Sequence, residues 1–271
     1  MPMQISISNA IGGGGGAQGS GGGSSFASTN SFTFDGNSDL VSMGDVLNMA
    51  NDGTDAFSYS LWFKTTDTGI HQMFISKQRS SVWLNGVGFS MRGDLRIFQF
   101  GLGTGQGDQR IRGKTGTISD IRDGNWHHVC LTYDGSQLLS GFNLYYDNSP
   151  LTIIPEGTQG TPNNVSTLGQ ADFLIGAGGL STSFVHPFNG NLDEVAYFTS
   201  ELSAPDVSTI YGTGVPNDIS SFNPVGWWRM GEEANHTGRN WVLTDQGSGS
   251  NNGFSNTIPA PPAQPSTDVP T

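Results

Sequence analysis

The chain has 271 residues, of which 34% are hydrophobic, only 13% are charged and 40 are glycine, a composition that argues against a helix bundle and favours many short strands. Its 23 acidic residues outnumber 11 Lys and Arg, giving a net charge of −12. This charge excludes nucleic acid as an expected partner, because phosphate backbones require a basic surface, and no apolar run is long enough for insertion into a membrane.

The first 25 residues differ in composition from the rest of the chain. Residues 1–9 alternate Met3, Ile5 and Ile7 with polar side chains, which is a strand pattern, and residues 11–25 form a tether rich in glycine and serine. We therefore expect residues 1–25 to act as a docking arm in a large assembly, with a frayed terminus as the alternative. The segment has neither the basic start nor the apolar core of an ordinary signal peptide.

Nine short segments between the arm and the C-terminal region have strand patterns separated by turn residues. In chain order they are 31–35, 57–65, 73–77, 86–92, 94–101, 125–133, 142–147, 171–176 and 192–198. Only residues 203–211 have a helical pattern, which ends at Gly212. The spacing predicts an all-β jelly-roll sandwich of two antiparallel sheets over residues 26–256, followed by a proline-rich tail at 257–271.

Three segments carry a resemblance to laminin G-like domains of the concanavalin A-like lectin/glucanase superfamily. They are the opening sequence FTFDGN at 32–37, the sequence DGNWHHVCLTYDG at 123–135, and the sequence FNGNLDEVAYF at 188–198. The order and spacing of these segments, over residues 31–212, resemble those of the family. The resemblance implies the sandwich fold, whereas function stays open because the fold carries lectins, enzymes and adhesion modules.

The segment at 224–232, with the sequence PVGWWRMGE, is similar to the strand that usually precedes such a domain. Here it follows the domain, so we expect a strand at 227–230 to return to the sheet from the C-terminal side. The alternative is the start of a truncated second module, but too few residues remain to bury a second core.

Glucanases of this superfamily carry a glutamate–aspartate–glutamate motif on one strand, and this chain has none. Hydrolysis of a glycosidic bond requires two carboxyl groups about 5–9 Å apart. Asp193 and Glu194 are adjacent, so their side chains are expected to point to opposite faces of a regular strand. The sequence therefore predicts a non-catalytic protein.

The resemblance also implies a structural calcium ion, because many members of the fold hold one between the first and last strands. The matching residues are Asp35, the carbonyl of Gly36, and Asp193, which together supply the hard oxygens that calcium prefers. The alternative is that Asp193 caps a turn or pairs with a cation.

For ligand binding, we expect a glycan site formed by Trp83, Asn85, Arg92 and Asp94, since sugars stack on aromatic rings and bind amide and carboxylate groups. The alternative for Trp83 is a packed position at the rim of the core.

The predicted function is that of a virion structural protein, a capsid decoration or tail-associated protein whose lectin-like domain adheres to host or environmental glycans. The prediction rests on the tether, on the absence of an export signal and of a disulfide partner for Cys130, and on the resemblance to laminin G-like modules of phage structural proteins. Residues 1–25 would contact other virion proteins, and we expect a homo-oligomer or a place in a large assembly on the virion surface. The alternatives are a secreted bacterial adhesion protein that binds carbohydrate, outside the cell, and a glycoside hydrolase.

Overall fold

The computed structural model describes residues 26–49, 52–69, 71–78, 86–103, 109–162, 171–180, 183–255 and 265–271. The arm predicted at 1–25 lies outside these residues. The strands are β1 (Phe32–Asp35), β2 (Val41–Ser42), β3 (Phe57–Lys64), β4 (Gln72–Gln78), β5 (Gly86–Arg92), β6 (Ile97–Gly103), β7 (Arg110–Thr115), β8 (Trp126–Tyr133), β9 (Phe142–Tyr146), β10 (Ser149–Pro150), β11 (Ile153–Pro155), β12 (Leu174–Ile175), β13 (Gly178–Leu180), β14 (Ser183–Val185), β15 (Asn189–Phe198), β16 (Gly226–Trp228), β17 (Asn235–His236), β18 (Trp241–Leu243) and β19 (Gly253–Ser255), and the α-helix is α1 (Ala204–Tyr211).

These strands form two large antiparallel sheets, which confirms the predicted sandwich. The seven-stranded sheet has the order β1-β15-β3-β8-β9-β10, with β16 also paired to β15. The ten-stranded sheet has the order β11-β7-β6-β5-β4-β12-β2-β19-β18-β17. Strands β13 and β14 form a separate hairpin.

Aromatic side chains fill the space between the two sheets. Phe63 of β3 contacts both Phe74 of β4 and Phe98 of β6, with ring centroids 5.0 and 5.9 Å apart. Along β5 and β6 every second residue belongs to this core, and the residues between them point away from it. The outward residues of β5 and β6 are also buried, apart from Arg92, so only the inner face of these strands packs on the aromatic core but both faces are covered.

The C-terminal segment contributes to both sheets. In the seven-stranded sheet, β16 pairs with the second half of β15, so that Val195 lies opposite Trp228, while β1 pairs with the first half of β15. In the ten-stranded sheet, β19 pairs with β2. The strand expected at 227–230 is thus found at Gly226–Trp228, inside the sheet.

Two further features lie outside the sheets. Helix α1 starts with a capping box between Ser203 and Asp206 and ends at Gly212, which has a φ of +62°. Its buried residues Val207 and Ile210 pack on the outer face of the seven-stranded sheet against Trp227. In the tail, Ser266 forms a bridge with Ser31, and residues 256–264 lie outside the described residues. No helix in the described ranges combines the length and apolarity that crossing a bilayer requires.

The structure shifts one strand and adds several that the sequence analysis missed. The strand expected at 94–101 begins at Ile97, because residues 93–96 form the turn and Arg96 has a φ of +56°. The longest missed strand is β7, which pairs with β6 on one side and with β11 on the other. The other missed strands are short: β2, β10, β11, β13, β14, β17, β18 and β19.

We expect Trp228→Ala to lower the free energy of unfolding by about 3–5 kcal/mol, the usual cost of removing a large buried aromatic side chain. Trp228 is fully buried and its indole N–H donates to the Asn251 carbonyl. Chemical denaturation would measure the change. The matched control is Phe254→Ala, since Phe254 is 49% exposed and should have little effect. Equal stability of the Trp228 variant and the wild type would contradict the integration of this segment into the fold.

Candidate functional site

The outer face of β5, β6 and β7 carries a group of polar and cationic side chains, which we call the basic face. Its members are Ser90 and Arg92 of β5, Gln99 of β6, and Arg110, Arg112 and Lys114 of β7. They share one face because each lies between residues that point into the core, as the alternating burial of β7 shows. Cross-strand pairing aligns Ser90, Gln99 and Lys114 in one row.

Glycines occupy the neighbouring outward positions of β5 and β6. Gly88 lies opposite Gly101, which lies opposite Arg112, and Gly86 lies opposite Gly103, which lies opposite Arg110. A Cβ at Gly103 would stand 2.6 Å from the Cα of Arg110, so this position requires glycine. The backbone beside the two arginines therefore carries no side chains of its own.

The basic face contains two hydrogen-bonded ion pairs. At one end, Arg92 donates from Nε and Nη2 to the two oxygens of Asp94, at 3.1 and 2.7 Å. In the middle, Glu156 accepts from Gln99 Nε2 at 2.6 Å and from Arg112 Nη2 at 3.1 Å. The side chains of both pairs retain between 19% and 31% of their exposure, so solvent reaches them.

Two histidines lie near the Arg92 end. The rings of His71 and His186 are 4.8 Å apart, and His186 has a φ of +56°. Burial, followed by the neighbouring His186 and Arg92, lowers the pKa of His71 to about 4, and burial also lowers the pKa of His186. Both rings are therefore neutral at pH 7. A neutral imidazole can donate one hydrogen bond and accept another without adding positive charge.

The structure brings together two of the four predicted ligand residues. Arg92 and Asp94 form one pair at the turn between β5 and β6. Trp83 and Asn85 lie outside the described residues. The sequence analysis did not identify Arg112 as part of this face. The signal was available in the alternation of Arg, Arg and Lys along residues 110–114, which is a strand with one cationic face.

A second candidate site is a cluster of three carboxylates, which we call the acidic cluster, formed by Asp193, Glu194 and Glu232. One carboxylate oxygen from each residue lies within 4.8 Å of the others. The prediction that the Asp193 and Glu194 side chains point to opposite faces is therefore wrong. The pairing of β15 with β3 shifts register between Asp193 and Ala196, and Glu194 has a φ of +47°. This β-bulge interrupts the alternation and brings the two adjacent carboxylates together.

Each carboxylate of the acidic cluster has specific donors. Asp193 accepts from the Ser28 hydroxyl at 2.6 Å. Glu194 accepts from the Trp227 indole at 2.7 Å and from Arg229 Nε at 3.0 Å. Glu232 accepts backbone N–H groups through Oε1, whereas its Oε2 is buried without a hydrogen-bond partner.

Burial raises the pKa of Asp193 well above its ordinary value, and the neighbouring Glu194 raises it further. Burial also raises the pKa of Glu194 to about 7, although Arg229 opposes this shift. A single arginine therefore faces three carboxylates, and the cluster would be stabilised by a further positive charge, either a proton or a metal ion.

The calcium ligands predicted from the resemblance are not brought together. Asp35 lies opposite Asn189 in the β1–β15 ladder, so Asp193 is four residues further along β15, about 13 Å away. The Asp35 carboxylate instead accepts the backbone N–H groups of Asn37, Ser38 and Asp39, because it closes a local turn. Of the predicted set, Asp193 lies in a group of hard oxygen donors, which includes the buried and unpartnered Glu232 Oε2.

A third feature is a polar cavity of about 380 Å³ beside the C-terminal residues. Its lining includes Lys64, Asn125, Trp126 and Asp268. Asp268 accepts from both Lys64 Nζ and the Trp126 indole.

Comparison with known proteins gives the same fold. The Bacteroides ovatus protein described as a candidate carbohydrate-binding protein has a TM-score of 0.54 and 16% identity, over 89% of this chain and 62% of that chain. NanB, a sialidase from Streptococcus pneumoniae, in the structure with Optactamide, has a TM-score of 0.50 and 12% identity, over 81% of this chain and 36% of that chain. Domains LG4-5 of the mouse laminin α1 chain have a TM-score of 0.40 and 14% identity, over 65% and 43%.

At these identities the first two likenesses, with TM-scores of 0.54 and 0.50, show the fold alone, and this chain spans less than two thirds of the Bacteroides ovatus protein. The search of curated proteins finds no match. A family model, the laminin G-like model of the concanavalin A-like lectin/glucanases superfamily, matches residues 35–208. With this match over more than half of its length, and with the two-sheet sandwich on which the match lies, the chain belongs to the concanavalin A-like lectin/glucanase superfamily.

Proposed function

We propose that the protein is a non-catalytic carbohydrate-binding module that holds a glycan on the basic face. The observation that carries the proposal is the presence of two partly exposed guanidinium–carboxylate pairs, Arg92–Asp94 and Arg112–Glu156, the second also bonded to the buried amide of Gln99. Such groups match the donors and acceptors of sugar hydroxyls, and their mutual hydrogen bonds fix their positions before a ligand arrives. The likeness in fold to a candidate carbohydrate-binding protein supports the proposal.

The carboxylates of the basic face are poorly suited to hydrolysis. A general acid in a glycoside hydrolase needs a raised pKa, whereas the hydrogen bonds from Arg92 lower the pKa of Asp94. Glu156 is paired with Arg112. The acidic cluster is equally unsuited, because Asp193 and Glu194 are 0% and 5% exposed and leave no room for a sugar.

Calcium at the acidic cluster forms part of the proposal. Asp193, Glu194 and Glu232 would supply its protein oxygens, and the ion would contribute positive charge and stability. The cluster joins β15 to residues 28–30 and 229–232, so an ion there would tie these segments to the sheet.

That the protein is a component of a virion stays a prediction, which rests on the sequence of residues 1–25. The alternating head could add a strand to the sheet edge of a neighbouring protein, and the glycine tether could follow a narrow groove. A secreted adhesion protein remains the alternative setting for the same glycan-binding domain.

Replacing Arg92 with Gln should weaken glycan binding at least tenfold without a loss of folding, because charged hydrogen bonds each contribute about 1.5–3 kcal/mol. A glycan array would identify a ligand, and calorimetry would measure the change in Kd. The control is Arg239→Gln, at an exposed arginine away from this face.

Recovery of the glycan intact after long incubation is expected, and release of reducing ends would contradict the non-catalytic proposal.

Adding calcium to protein prepared in EDTA should raise the Tm by several degrees, because a ligand that binds only the folded state stabilises it. Glu232→Gln should remove this response, whereas the matched control Glu233→Gln, at an exposed neighbour, should keep it. An unchanged Tm in the wild type, or an undiminished response in the Glu232 variant, would argue against a calcium ion at the acidic cluster.

Deleting residues 2–25 should leave the Tm nearly unchanged, because no apolar side chain lies between Ala17 and Phe26 to add to a core. The same deletion should abolish attachment to purified particles that lack the protein. Undiminished attachment of the truncated chain would show that this segment is not the docking element.

A further inference from the structure

The basic face is rich in positive charge, whereas the protein as a whole carries a net negative charge. Five of the 11 Lys and Arg residues lie between positions 92 and 114, in a chain whose net charge is −12. The charged side chains on this face are the cations Arg92, Arg110, Arg112 and Lys114 and the neighbouring carboxylates Asp94 and Glu156. Among the described residues, these four positive charges and two negative charges leave a surplus of two positive charges on this face.

The positive charges without carboxylate partners lie on β7. Arg92 and Arg112 each have a carboxylate partner, Asp94 and Glu156. Within the described ranges, neither Arg110 nor Lys114 has a carboxylate at salt-bridge distance, and Arg110 Nε is buried without a hydrogen-bond partner. Among the described residues, Arg110 is therefore a cation without a carboxylate partner.

Arg110 and Arg112 stand side by side. They are alternate residues of one strand and share its outer face, so their Cα atoms are about 6.6 Å apart. Burial is the largest cause that lowers the pKa of Arg112, and the charge of Arg110 lowers it further, while Glu156 opposes both. Of these two adjacent guanidinium groups, only that of Arg112 pairs with a described carboxylate, so an anion beside Arg110 would offset their mutual repulsion.

The outward positions opposite these arginines hold glycines, and these glycines are buried. Across the ladder from Arg110 and Arg112 lie Gly103 and Gly101, followed on β5 by Gly86 and Gly88. A guanidinium group presents parallel N–H donors that match a carboxylate or a sulfate group. Because the side chains of Arg110 and Arg112 are partly exposed, an anionic group bound by them would lie on the β7 side of the buried glycines, with the attached sugar in solvent.

We propose that the glycan recognised by the basic face carries an anionic group, a carboxylate or a sulfate ester, and that Arg110 beside Arg112 binds this group. This inference rests on the proposed function and names the class of glycan. Recognition by Arg110 would separate acidic from neutral glycans that share the same sugar core. The interaction would weaken as salt screens it.

The experiment is a glycan array in which neutral glycans stand beside their acidic counterparts, including lactose, 3′-sialyllactose and 3′-sulfolactose. The full chain and its Arg110→Gln, Arg110→Lys and Arg239→Gln variants are compared, each with its Tm. We expect binding to acidic members only, a loss of at least tenfold in Arg110→Gln at an unchanged Tm, and partial rescue by Arg110→Lys. Sialylated or uronate-bearing binders would identify a carboxylate, and sulfated binders would identify a sulfate.

Different results of this experiment would overturn the anionic class of glycan and the glycan-binding function. Binding to neutral glycans that is indifferent to Arg110→Gln would overturn the anionic class and leave the glycan-binding function standing. Absence of binding to any member, neutral or acidic, would overturn the function and this inference with it. A loss of binding in the Arg239→Gln control equal to that in Arg110→Gln would show a general effect of charge rather than a site at Arg110.

Discussion

Alternation of side chains along paired strands is the constraint on which both sites depend. The two sheets can pack only if one face of each strand is apolar, and aromatic residues such as Phe63, Phe74, Phe89 and Phe98 meet in that space. Burial of each ring contributes on the order of 2 kcal/mol, so a shift of one residue in any of these strands would be costly. The inner face thus fixes which residues must point outward, and the outward positions are free to carry recognition groups.

The basic face follows directly from this constraint. Ile111 points inward from β7, so Arg110 and Arg112 must share the opposite face. The glycines at Gly101 and Gly103 fall in the same outward register. Local sequence and overall packing therefore agree in placing cations beside buried glycines. The acidic cluster arises in the opposite way, because the bulge at Glu194 breaks the alternation of β15 and lets two adjacent carboxylates meet.

The sequence was sufficient for the fold class, for most strands and for the helix, since periodicity and turn residues report local structure. Strand β7 was missed because Gly113 and Thr115 occupy inward positions in place of large apolar residues, so its apolar alternation is faint. The acidic cluster could not be predicted, because a bulge depends on the pairing of β15 with β3 and β16. Glu232 is also 38 positions beyond Glu194, and only the return of the chain at β16 brings it near.

The most direct test of the account is to locate a bound glycan on the protein. Backbone amide shifts of isotope-labelled protein, followed by NMR during titration with a glycan selected on the array, would map the contact. The account predicts that the largest changes fall on β5, β6, β7 and the turn at 93–96. Changes concentrated around the cavity lined by Trp126 and Asp268, with β5–β7 unaffected, would contradict it.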